Sequence, residues 1–82
     1  MKIYIIKPKK ENINVRMIQG ILEIYPDAEL ANSIEESDLV VIQRGNWEKS
    51  PKCREDYRKA SELCKRIENA GIYLDRFCVV MN

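Results

Sequence analysis

Histidine is absent from the 82 residues. With it goes the side chain that most often acts as a general base at neutral pH, and a frequent zinc ligand. Ser-His and Cys-His nucleophilic pairs are excluded, so any proton transfer falls to carboxylates, tyrosines, lysines or thiols. Cysteine is sparse as well: Cys53, Cys64 and Cys78 are odd in number and form no CxxC pair. That pattern points to reduced, structural thiols rather than a disulfide framework or a metal cluster. No apolar run approaches the roughly 20 residues that span a bilayer. The N-terminal MKIYIIKPKK places its basic run after a very short apolar stretch, the reverse of a secretory signal. A net charge of only +1 argues against nucleic-acid binding driven by bulk charge. There are no repeats, low-complexity tracts or linkers. These absences lead us to expect one cytoplasmic domain over residues 1–82 with a modest core and no metal, cofactor or membrane attachment.

What is present has the rhythm of a small α/β fold. KIYII (2–6) is a β-branched and aromatic strand closed by Lys7-Pro8. Asn12 or Asn14 caps a helix running to about Tyr25, its apolar face formed by Met17, Ile18, Ile21, Leu22 and Tyr25, and Pro26 ends it. Gly20 weakens that helix slightly and permits a close approach to the sheet. AEL (28–30) is a weak strand, and SIEES (33–37) makes one helical turn. LVVIQ (39–43) is apolar throughout, as befits a parallel strand covered on both faces. Ser50, with Pro51 at the first helical position, starts a helix expected to reach Ala70 and stop at Gly71. IYL (72–74) and CVVM (78–81) are the remaining strand candidates. Alternating strands and helices predict a three-layer, Rossmann/flavodoxin-like parallel sheet of order 2-1-3-4, with helices on both faces.

In such a sheet, ligands bind beyond the C-terminal strand ends where the strand order reverses. That places a crevice between the loop after the first strand (7–12) and the loop after the third (43–50). The loops at that edge and the helix turn after them carry Lys7, Lys9, Lys10, Arg44, Lys49, Lys52 and Arg54 against Glu11, Glu48, Glu55 and Asp56. The loops at the opposite edge carry Asp27, Glu29, Glu35, Glu36 and Asp38 with no basic residue. A positive mouth of this kind attracts an anion such as phosphate, and the amides of Lys52, Cys53 and Arg54 would add donors at a helix start. At 100° per residue, Cys53, Tyr57, Ala60, Cys64, Ile67 and Gly71 form the stripe facing the sheet. Asp56 lies beside that stripe, whereas Glu55 points to solvent. Asp56 either complements the helix dipole or belongs to a site, and Trp47 either covers the core or offers a stacking face for a base or sugar. Cys53, at the centre of the stripe, is read as buried and inert.

The stretch SDLVVIQRGNWEKSPKCREDYRKA (37–60) resembles the nucleoside 2-deoxyribosyltransferase-like superfamily, including its small bacterial and phage branches. Asp38-Leu39-Val40-Val41-Ile42 matches that family's Asp-led apolar strand. Trp47-Glu48-Lys49-Ser50 matches its Gly-Trp-Glu-x-Ser loop with Asn46 inserted after Gly45, and Ala60 falls at the expected interval. Asp56 takes the place of the family's nucleophilic Glu, one methylene shorter, and Pro51-Lys52 replaces the Gly after the serine. The resemblance implies a small domain that binds a nucleotide or nucleoside derivative without turning it over. Its ligand-binding residues would be Lys7, Lys9, Arg44, Gly45, Trp47, Ser50 and Lys52. It further implies self-association and, in a phage setting, sequestration of a nucleotide signal. Two alternatives stand beside this. One is an enzyme cleaving or exchanging an N-glycosidic bond, with Asp56 as nucleophile and Tyr4 or Tyr57 orienting it. The other is a protein-interaction module, because so small a core gains from burial at an interface.

Overall fold

The structure is a computed structural model that describes residues 1–43 and 49–74. Four parallel strands, β1 (Lys2–Ile6), β2 (Glu29–Leu30), β3 (Leu39–Ile42) and β4 (Arg66–Asn69), form one sheet of order β2-β1-β3-β4. The predicted order is therefore the observed one. Ile3 to Ile6 pair in register with Leu39 to Ile42, and Leu39 to Ile42 pair with Arg66 to Asn69. Strand side chains alternate between faces, and both faces are covered. On one, Ile3, Ile5, Leu39 and Val41 pack with Met17, Ile21, Ala70 and Tyr73. On the other, Ile6, Val40 and Ile42 pack with Ile34, Cys53 and Ala60. Continuous burial of β3 follows from its place in the middle of the sheet.

Helix α1 (Val15–Ile24) begins at Asn14, whose side-chain oxygen accepts from the amides of Arg16 and Met17. Helix α2 (Pro51–Glu62) begins at Ser50, whose hydroxyl accepts from the Cys53 amide. Both starts are where the capping residues indicated.

The end of α2 is not. The helix stops at Glu62 rather than Ala70. Leu63 is the C-cap, and Cys64 adopts φ 56°. The Cys64 amide donates to Ser61 O, and the Lys65 amide reaches back to Ala60 O at 2.9 Å. These two bonds make a Schellman ending with cysteine in the left-handed position usually held by glycine. Arg66 to Asn69 can then pair with β3, whose outer edge would otherwise carry unpaired backbone groups. Ile67 faces the α2 side of the sheet from a strand, and Cys64 is exposed, so neither belongs to a helical stripe. Tyr57 is also exposed, and Cys53 and Ala60 alone are the buried residues of α2.

IYL is likewise not a strand. Asn69 caps a helical turn over residues 71–74 by accepting from the Gly71 amide, so Gly71 opens a turn rather than ending a helix. Tyr73 is buried there and its hydroxyl donates to Glu68. The turn lies directly on Gly20, where an added Cβ would sit 2.4 Å from Tyr73 O. The close approach anticipated at Gly20 is therefore made to this turn. The CVVM segment lies outside the described residues.

Candidate functional site

Tyr4 is the half-buried member of β1, pointing to the same face as Ile6. Above it, the first two turns of α2 place Lys52 and Asp56 four residues apart, on one side of the helix. The Tyr4 hydroxyl donates to Asp56 Oδ2 at 3.2 Å, and the Lys52 ammonium donates to the same oxygen at 2.8 Å. The Asp56 side chain is only 16% exposed and that of Lys52 is 44% exposed. Burial, followed by the Asp56 charge, pushes the Tyr4 phenol above its ordinary value. The hydrogen bond to Asp56 raises the Lys52 ammonium. At neutral pH the cluster is a neutral phenol and an ammonium converging on one carboxylate oxygen. Tyr4, not Tyr57, is the hydroxyl that meets Asp56.

This cluster borders a cleft of about 190 Å³ lined by Tyr4, Lys7, Ile13, Leu30, Ala31 and Lys52, with Ile3 and Ile5 at its base. It opens beside the C-terminal ends of β1 and β2, one strand away from the expected crevice between β1 and β3. At the expected position, Gln43 bridges the two loops. Its amide nitrogen donates to Asn12 O, and its side-chain oxygen accepts from the Asn14 amide, both at 2.9 Å. Nothing in the sequence singled out Gln43, a polar residue immediately after a buried strand.

The anticipated residues separate accordingly. Lys7 and Lys52 line the cleft, and Asp56 touches two of its lining residues. Ser50 is committed to capping α2, and the Arg54 amide donates to Ser50 O. Two of the three helix-start amides expected to face a ligand are therefore used within the helix. Lys9 is exposed on the turn closed by the Glu11 amide and Pro8 O, away from the cleft lining. Arg44, Gly45 and Trp47 lie outside the described residues. Among the described residues, no cluster of His, Cys, Asp or Glu is suited to hold a metal ion. No described helix is long and apolar enough to cross a membrane.

The charge separation survives folding in a modified form. The acidic edge is partly compensated by cations from elsewhere. Lys2 pairs with Glu29, Lys59 pairs with Glu35, and Lys65 donates to the carbonyls of Glu35 and Ser37. Asp38 accepts from the Lys2 amide. At the other edge, Lys7, Lys9, Lys10, Arg16, Lys49 and Arg54 make no ion pair among the described residues. Among the described residues, these six cations at the positive end are thus left without an ion pair, while the acidic end is partly compensated. No protein-family profile, curated protein or solved structure matches the chain.

Proposed function

We propose that the protein binds a small anionic, nucleotide-like ligand in the Tyr4–Lys7–Lys52 cleft and does not transform it. One observation carries this: Lys7, Lys52 and Tyr4 line one concave site that also has an apolar wall of Ile13, Leu30 and Ala31. Charged groups fix an anion, and the apolar wall accepts a sugar or base face. At about 190 Å³ the cleft is smaller than the roughly 300 Å³ usual for a whole small-molecule site. It suits a phosphoryl group with its sugar. Membership of the nucleoside 2-deoxyribosyltransferase-like superfamily and a cytoplasmic location belong to the same proposal. The first is supported by the Tyr4–Asp56 bond and the sheet order, the second by the free thiols of Cys53 and Cys64. Isothermal titration with nucleosides, nucleotides and cyclic nucleotides tests it. Micromolar binding of a phosphorylated member, lost in Lys7→Met/Lys52→Met, is the expected result. No binder tighter than millimolar defeats it.

The placement of Asp56 favours a second reading, cleavage or exchange of an N-glycosidic bond, because its carboxylate is oriented by a tyrosine at the cleft edge. Asp56→Asn separates the two. A binding site gains anion affinity, because Lys52 is released from its partner and a negative charge is removed. An enzyme loses base release. Self-association has its own candidate surface, an apolar groove lined by Ile18, Ile21, Leu22 and Leu30 beside the edge strand β2. A concentration-independent monomer in light scattering removes that element.

A further inference from the structure

Resting on the anion-binding reading, we infer that the ligand carries more than one phosphoryl group, and that Lys9 and Lys10 receive the phosphates beyond the first. The cleft itself holds Lys7 and Lys52 and has room for one phosphoryl with its sugar. Lys9 and Lys10 lie outside the lining, at the two central positions of the turn over residues 8–11, both exposed. They follow Lys7 by two and three residues, within about 7–10 Å even at full chain extension. The rim therefore adds, close in sequence to Lys7, two exposed cations that do not line the cleft and are left for phosphates beyond the first.

Two of the described acids nearby are engaged elsewhere: Asp56 is held by Lys52, and Glu55 lies near Arg58 at 3.8 Å. Among the described residues neither Lys9 nor Lys10 has an ionic partner, and Arg16 and Lys49 at the same edge add to the field. Because folding partly compensates the acidic edge and leaves these described cations without ion pairs, the chain's +1 net charge understates what an approaching polyphosphate meets.

The test is calorimetric titration of the full chain with adenosine mono-, di- and triphosphate and with inorganic phosphate, in metal-free buffer at low salt. Affinity is expected to rise about fivefold per added phosphoryl, the upper end for a solvent-exposed ion pair, and the increments should shrink in high salt. Lys9→Ala/Lys10→Ala, on an exposed turn, should flatten the series, lowering triphosphate affinity more than monophosphate affinity. Circular dichroism verifies that this variant folds. Equal affinities for the three nucleotides in the parent chain overturn the inference and leave the anion-binding reading standing. A rising series that the double variant does not flatten overturns the assignment to Lys9 and Lys10. Absence of binding by every probe overturns both the inference and the reading it rests on.

Discussion

Replacing Gly20 with alanine should destabilise the protein, although the same change in an exposed helix stabilises by up to about 1 kcal/mol. Gly20 is buried in the middle of α1. An ideal Cβ there lies 2.4 Å from Tyr73 O and 3.0 Å from both the Tyr73 carbonyl carbon and its Cβ. The obstructing oxygen and carbonyl carbon are backbone atoms, so the strain cannot be relieved by a side-chain rotation. The 71–74 turn must move away from α1, loosening Tyr73, which is 1% exposed. Overpacking of this kind costs about 1–3 kcal/mol. After a helix-propensity gain of up to about 1 kcal/mol is subtracted, a net loss of up to about 2 kcal/mol remains. For a domain of this size that lowers Tm by up to about 15 °C. Thermal and urea unfolding followed by circular dichroism measure it, with Gln19→Ala, one residue away and exposed, as the near-neutral comparison. A Gly20→Ala protein with a higher Tm than the parent refutes the contact, and with it the packing of the 71–74 turn on α1.

Three further outcomes follow from the same geometry. Cys64→Gly should stabilise by about 0.5–1 kcal/mol in urea unfolding, because φ 56° burdens a Cβ-bearing residue and suits glycine; a loss of stability contradicts the Schellman ending. Gln43→Ala removes two hydrogen bonds that join β3 to the start of α1 and should cost about 1–2 kcal/mol; a change below the error of the measurement contradicts the bridge. The Tyr4 and Tyr73 phenols are both raised in the fold, each chiefly by burial, and Lys52 is raised by its bond to Asp56. Groups that hold protons more tightly when folded contribute fully below their unfolded values and progressively less as pH climbs through the folded ones. Stability should therefore stay level in this respect up to about pH 10 and fall above it, with a shallower fall in Tyr73→Phe; an equal slope in that variant contradicts the assignment to Tyr73.

The sheet order was legible because its evidence is local: a β-branched run before Lys7-Pro8, a four-residue apolar run at Leu39–Ile42, and capping residues at Asn14 and Ser50. The C-terminal third was not, for two physical reasons. Arg66-Ile67-Glu68-Asn69 has no strand-like composition and becomes a strand only because β3 offers an open edge, which is a tertiary effect overriding propensity. The stop signal before it is a cysteine in a left-handed conformation, where sequence rules look for glycine. At the candidate site, Lys7 and Lys52 were legible from charge placement and Asp56 from helical spacing, whereas Tyr4 was only one of two candidates, with Tyr57, for an orienting hydroxyl. The location of the cleft was missed, since it depends on Gln43 occupying the β1–β3 gap and on Leu30 and Ala31 forming a wall. Likewise the partial compensation at the acidic edge was hidden because Lys59 and Lys65 arrive from residues distant in sequence.

The central claim, that an anionic nucleotide-like ligand is held in the Tyr4–Lys7–Lys52 cleft, is tested most directly by an amide chemical-shift titration of the full chain with adenosine monophosphate. Saturable shifts at Tyr4, Lys7, Ile13, Ala31 and Lys52, with little effect at Leu22 in the neighbouring apolar groove, are the result this structure predicts. No saturable shift, or shifts centred on Leu22 and Ile18 with the cleft residues unmoved, would contradict it.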